Sequence, residues 1–274
     1  MSRSGGPAVA LALSGGGAAG LGHIPVLEAL DDLGVGVAAI AGSSVGALIG
    51  AGYAAGMTGT DLHDHVMGLA RSPSKTARKL WKELDFKGLS AILSADPEAA
   101  IGVLEPEGLP ERIEDLRIPL TVMATDYHAR ASRAFTEGPL RPALAASIAI
   151  PGVFRPVSLG GRVYVDGGVT NNLPLDRLPE GALCIGVDVA SEPPSDATEV
   201  PGGMAATVGS MRIMMRALLE RTLETRPPTV LIEPASRRFG ALEFWKAAEI
   251  LEAADHARED TRRAVARALE EAGA

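Results

Sequence analysis

The 274-residue sequence has one cysteine, Cys184, and no Cys-X-X-Cys pair, so no internal disulfide can form and no cysteine-based metal site is available. A reducing compartment suits such a chain. Cationic excess is missing too: 26 lysines and arginines face 34 aspartates and glutamates, giving a formal charge of −8. With no basic field to hold phosphate backbones, nucleic acid is not an expected partner. Internal repeats are absent, and 46% hydrophobic residues suffice for one large core rather than a disordered tail. The expectation is a single domain over residues 1–274.

Charge disappears altogether between Asp32 and Asp61, where Gly42, Gly46 and Gly50 fall at four-residue spacing like a transmembrane packing face. The turn chemistry of Gly42-Ser43-Ser44 divides this run into "VAAIA" (37–41), of strand length, and "VGALIGAGYAAG" (45–56), of helix length. A buried strand, a tight turn and a buried helix are expected. The N-terminal "MSRSGGPAVALALSGGGAAG" has the arginine and short apolar run of a secretory signal, but cleavage after it would remove a glycine cluster that carries chemistry. The expected protein is cytoplasmic, has neither a signal peptide nor a transmembrane helix, and touches membrane surfaces transiently.

Elsewhere short apolar runs alternate with helical stretches, the pattern of a mostly parallel sheet covered by helices. Strands are expected at 8–13, 37–41, 119–125, 182–189 and 229–233, and a helix over 22–34 that stops at Gly34. Segment 71–118, charged and punctuated by prolines, interrupts the alternation as a lid or a covering subdomain, with Trp81, Leu84, Phe86, Leu89, Ile92 and Leu93 available for an apolar entrance. Residues 191–203 read as a loop and 241–271 as a last helix. Met204, Met211, Met214 and Met215 mark a stripe that suits either a core or a pliable lipid-contacting face.

Three ligands compete for the glycine-rich turn "LALSGGGAAGLGH" between strand and helix. Gly15, Gly17 and Gly20 satisfy G-x-G-x-x-G, but a dinucleotide needs an acidic residue ending the next strand, where Gly42-Ser43-Ser44 stands. A nucleotide loop needs Gly-Lys-Ser/Thr, and Gly20 is followed by Leu21 and Gly22. Two possibilities stay open: an oxyanion hole built from the amides of Gly15, Gly16 and Gly17, or a plain tight turn with close helix packing. No cofactor is implied.

"GSSVG" (42–46) matches G-x-S-x-G with Ser44 central, flanked by Gly42 and Gly46, between an expected strand and an expected helix. In a chain with 32 glycines the pentapeptide alone arises easily by chance, so the strand-turn-helix context carries the signal. A serine nucleophile needs a base. Of the five histidines only His256 stands late in the chain, within a charged helical stretch that reads as solvated surface, and His23 reads as structural. His63 and His65, two apart, point to different helix faces and make a poor metal pair, so no metal is assigned. "GRVYVDGGVTNNLP" (161–174) offers Asp166 at a strand end, although Asp-Gly-Gly alone is most often a turn.

Taken in order, "ALALSGGGAAGLGHIPVLEAL", "GSSVGALIGAGYAAG", "PLTVMATD", "ALAASIAIPGVFRPV" and "GGRVYVDGGVTNNLP" resemble the patatin-like phospholipases over residues 8 to about 190. The resemblance implies an α/β fold, a three-layer α/β/α sandwich with a mostly parallel central sheet. It implies a histidine-free dyad of Ser44 as nucleophile and Asp166 as general base, with Gly15, Gly16 and Gly17 as the oxyanion loop. The implied activity is hydrolysis of carboxylic esters of lipids or phospholipids through an acyl-serine, without a cofactor. Acyl transfer, thioester cleavage and noncatalytic lipid binding are the alternatives. One departure stands out: the family usually has arginine or lysine two residues after the third glycine, where this chain has Ala19.

Overall fold

Strand β1 (Val9–Leu13) is buried along its whole length, and its side chains alternate in size. Val9, Leu11 and Leu13 enter the larger apolar core, while Ala10 and Ala12 join a small cluster with Ala41, Leu173, Leu175, Leu178 and Leu219. The two-residue period of a strand sends successive residues to opposite faces, so the sequence itself makes one face thick and the other thin. β7 (Leu183–Val187) repeats the pattern, with Leu183, Ile185 and Val187 on the thick side and Cys184 on the thin one.

The computed structural model describes residues 7–72, 95–190, 198, 200–234, 239 and 243–273, without the side chains of Met204, Ala205 and Val208. β1 pairs in parallel with β2 (Val37–Ser43) and β7, β7 with β8 (Val230–Ile232), and β2 with β3 (Leu120–Asp126). All five expected strands are present. Three antiparallel strands complete the sheet: β4 (Ala131–Phe135) and β6 (Arg162–Asp166) both pair with β3, and β5 (Val157–Leu159) pairs with β6. β4 and β5 are not evident from apolar runs, because β4 has only one buried residue and β5 has three residues.

The thick face carries α1 (His23–Asp32), α2 (Val45–Ala54), α3 (Gly59–Arg71), α4 (Pro97–Leu104) and α5 (Leu140–Ser147). The long α6 (Gly203–Thr225) supplies Leu219 and Leu223 to the thin face, and α7 (Ala247–Ala254) and α8 (His256–Glu271) return to the thick one. The architecture is therefore a three-layer α/β/α sandwich around a mostly parallel sheet. Local chemistry sets several boundaries: Thr58 and Asp61 form a capping box at α3, and Asp96 caps α4 with Pro97 in its first turn.

One expectation changes. The single helix expected over 241–271 is divided into α7 and α8, because Asp255 and Arg258 bond back three residues, to Glu252 and Asp255, and tighten the chain there. Within 71–118, Ile101 and Ile113 are fully buried, so the stretch from residue 95 onward contributes to the core. Residues 73–94, with the six apolar side chains of the expected entrance, lie outside the described residues, as does most of the 191–203 loop. No helix among the described residues is long and apolar enough to cross a membrane.

Candidate active site

The sheet register brings the two candidate catalytic residues together. β4 occupies one edge of β3 from Val122 to Asp126, so β2 and β6 share the other edge. β2 arrives in parallel and ends with Ser43 opposite Met123; β6 arrives from the other direction and ends with Asp166 opposite Ala124. Their carboxyl ends therefore meet. Gly167 lies so close to this junction that a Cβ on it would collide with the Met123 carbonyl and stand 2.7 Å from Ser43 Oγ.

Ser44 occupies the turn between β2 and α2 with φ 52° and ψ −128°. Among the described residues only Ser44 and Arg130 combine a side chain with positive φ, a conformation that costs about 1–3 kcal/mol and survives where the surroundings enforce it. Enforcement is visible. The buried Ser147 Oγ, at the end of α5, accepts the Ser44 N–H at 2.8 Å, and the Ser44 carbonyl accepts the N–H groups of Ala47 and Leu48 in α2. Gly46 lets α2 press against the end of β1, since a Cβ there would strike the Leu13 and Ser14 carbonyls; at Gly42 it would lie 2.6 Å from the Ala47 backbone. Ser44 thus stands at a helix N-terminus, where the aligned peptide dipoles favour developing negative charge.

Asp166 is buried at 4% exposure beside Ser44 at 3%. Its Oδ1 accepts the Gly168 N–H at 2.7 Å, and its carbonyl accepts the Thr125 hydroxyl at 2.9 Å. Burial pushes the carboxyl up to about 6, with the Ser44 hydroxyl and the Gly168 N–H pulling in the opposite direction. Oδ2 is buried and meets no partner in hydrogen-bonding geometry among the described residues. The Ser44 hydroxyl is the side-chain group that favours the ionised carboxyl.

The glycine loop lies on the other side of Ser44, and a Cβ on Gly15 would come within 3.0 Å of Ser44 Cβ. Of the three expected donors, Gly15 already has a partner within the protein. Its N–H points at Asn172, to Oδ1 at 3.2 Å and to the main-chain oxygen at 3.3 Å, while Asn172 Nδ2 donates to the Gly15 carbonyl at 3.3 Å. No acceptor is found for the Gly16 or Gly17 N–H among the described residues. Gly17, with φ 59°, opens a 3-10 turn through Gly22, and Ala19 is buried within that turn.

Sequence reasoning missed Asn172 and Ser147. Asn172 had a signal, since an asparagine pair follows Asp-Gly-Gly; Ser147 had none, because its partner is 103 residues away. The histidines stay out of the site. His23 is fully buried, donates from Nε2 to the Ser14 carbonyl at 2.9 Å, and is held neutral by burial, which pushes it down to about 4. His63 faces Glu28 at 3.3 Å, His65 meets the Leu104 carbonyl, and His256 is exposed on α8.

A family model described as patatin-like phospholipase matches residues 11–179, which contain the glycine loop, Ser44 and Asp166. The chain belongs to the patatin-like phospholipase family. An uncharacterized NTE family protein of Mycobacterium tuberculosis strain H37Rv is 41% identical over 169 residues, 62% of this chain and 45% of that protein. Human patatin-like phospholipase domain-containing protein 6 is 32% identical over 195 residues, 70% of this chain and 14% of that protein. The chain therefore spans less than half the length of these patatin-like relatives. The crystal structure of VipD from Legionella pneumophila shares the fold, with a TM-score of 0.53 at 13% identity, covering 97% of this chain and 69% of VipD.

Proposed function

We propose that this patatin-like chain is a lipid acyl hydrolase that cleaves carboxylic esters of lipids or phospholipids through a Ser44–Asp166 dyad. The observation that carries the proposal is the meeting of a serine on a strained, helix-opening turn with a buried carboxylate whose second oxygen is unpaired. Family membership and the name of the human relative support a lipid ester as substrate.

In the first half-reaction ionised Asp166 takes the Ser44 hydroxyl proton as Oγ attacks the ester carbonyl. The amides of Gly16 and Gly17 then hold the oxyanion, assisted by the N-terminus of α2. Collapse breaks the ester C–O bond, Asp166 returns the proton to the departing alcohol, and the acyl group stays on Ser44. In the second half-reaction Asp166 removes a proton from water as it attacks the acyl-serine, and the proton passes to Ser44 as the fatty acid leaves.

Fatty-acid release from phosphatidylcholine and from neutral glycerides, compared among wild type, Ser44→Ala and Asp166→Asn, tests the proposal. Turnover that both substitutions abolish is expected, and equal turnover in Ser44→Ala would overturn it. An added alcohol or thiol separates hydrolysis from acyl transfer, because a transferase would yield a new ester or thioester in place of free acid.

A further inference from the structure

Helix α6 is 23 residues long, yet Leu219 is the one buried side chain among its described residues. Leu219 and Leu223 pack on the thin alanine face of the sheet. About one turn earlier, two consecutive residues of the helix reach the surroundings of the site. Met215 places its methyl 2.6 Å from where a Cβ on Gly168 would stand, beside Asp166. Arg216 donates from Nη1 to Asp188 at 3.1 Å, and its guanidinium also meets Glu220 at 3.1 Å and Glu233 at 3.7 Å.

Asp188 follows β7 directly and is 1% exposed, so its carboxylate is hidden from water. Its Oδ1 accepts the Ala190 N–H at 3.0 Å, which turns the chain at the strand end, and the Val189 N–H between them donates to Ser14 Oγ at 2.9 Å. Ser14 donates its own N–H to the Val187 carbonyl at 3.0 Å. Burial pushes the Asp188 carboxyl up, with Glu233 adding to the push, and the Ala190 N–H, the Arg216 charge and the Ser14 hydroxyl oppose it. The ends of β1 and β7 are thereby tied together just where the glycine loop begins. A Cβ on Gly16 would lie 2.7 Å from Val189 Cγ2, so the second glycine of the loop rests directly on this knot.

We propose that Arg216 is a positioning residue for the glycine loop: by neutralising buried Asp188 it keeps the 188–190 turn in the form that holds Ser14 and backs Gly16. Arg216 touches no reacting atom, and its effect passes through Asp188, Val189 and Ser14. The role rests on the proposed acyl hydrolysis, in which the Gly16 and Gly17 amides hold the oxyanion. Without the guanidinium the carboxylate is buried and uncompensated, and it must draw in water or turn toward solvent, moving Val189 against Gly16.

The full chain is assayed on p-nitrophenyl butyrate as wild type, Arg216→Met, Arg216→Lys, and Arg216→Met combined with Asp188→Asn, with rates taken per folded molecule from near-ultraviolet circular dichroism. Arg216→Met is expected to lower kcat by about tenfold or more with KM within about threefold, and affinity for a trifluoromethyl ketone should fall in parallel. Arg216→Lys restores the charge and should recover most of the loss. The double substitution should do so too, because an amide at position 188 accepts the Ala190 N–H without carrying a charge. If Arg216→Met does not fold, Arg216→Gln, which keeps a donor but not the charge, carries the same expectation. An active wild type whose uncharged variant loses stability but keeps its kcat would overturn the positioning role and leave the hydrolase reading standing. So would a double variant no more active than Arg216→Met alone, since Asp188 would then not transmit the effect. A wild type without turnover would overturn the hydrolase reading and this role with it.

Discussion

Ser43 and Asp166 lie opposite consecutive residues, Met123 and Ala124, on the same edge of β3. Two chain positions more than a hundred residues apart are thereby placed end to end by backbone hydrogen bonding, and the neighbouring Ser44 needs only the sharp turn after β2 to face the carboxylate. The proposed dyad depends on strand register, and its supports are the contacts that hold the two strand ends and the glycine loop in place.

Asn172 is one such support. Its side chain and main chain both take the Gly15 N–H, fixing the glycine loop to the segment that carries Asp166. Asn172→Ala is expected to lower kcat by about tenfold to a hundredfold with little change in KM, because misplaced oxyanion donors cost transition-state stabilisation selectively. Affinity for a trifluoromethyl ketone, which forms the oxyanion, should fall in parallel. A rise in KM at unchanged kcat would contradict the assignment.

The acid limb of the rate profile follows from Asp166. The carboxyl is raised by burial to about 6 and must be ionised to act as base, so kcat/KM should fall as pH drops through about 6. A variant in which His63, His65, His128 and His256 are all glutamine separates Asp166 from a histidine base. The limb is expected to stay in place, and its disappearance would give the base role to a histidine.

The same carboxyl destabilises the fold. A folded-state value of about 6 against an ordinary 3.8 means the native state binds the proton more tightly. The associated stability is complete below about pH 4 and is lost as pH rises through about 6. Asp166→Asn removes the ionisation and keeps an oxygen for the Gly168 N–H. It should abolish turnover yet stabilise the protein by roughly 2–3 kcal/mol at pH 7.5 relative to wild type, with the difference vanishing near pH 3.5. Denaturant titration at the two pH values measures this directly, and an equal difference at both would contradict the buried-charge explanation.

Ser147→Ala leaves the Ser44 N–H buried without its acceptor and should cost about 1–3 kcal/mol of stability. Because that bond holds the positive-φ turn, kcat should fall as well. Threonine in place of Ser147, which keeps the hydroxyl, should recover more of the activity than alanine does. Alanine and threonine variants with equal activity would leave Ser147 no role in positioning Ser44.

Much of this was legible in the sequence because it is local. The five parallel strands announce themselves as apolar runs, and the turn at Gly42-Ser43-Ser44 is written in consecutive small residues. The strand end at Asp166 is marked by the glycines that follow, and its expected role as base comes from the family resemblance. What the sequence left hidden is pairwise and distant: β4 buries only its last residue, Phe135, Ser147 meets Ser44 across 103 positions, and the Gly15 N–H is held by an asparagine 157 positions away. The methionine stripe was ambiguous because α6 has apolar residues on two opposite faces, and only tertiary packing distinguishes Met215 inside from Met214 outside.

Intact-mass analysis after treatment with a fluorophosphonate, followed by peptide mapping, tests the nucleophile most directly. A single adduct on Ser44 is expected in the wild type, absent in Ser44→Ala and formed far more slowly in Asp166→Asn. A folded wild-type chain that stays unlabelled, or that carries the adduct on another serine, would contradict the Ser44–Asp166 dyad.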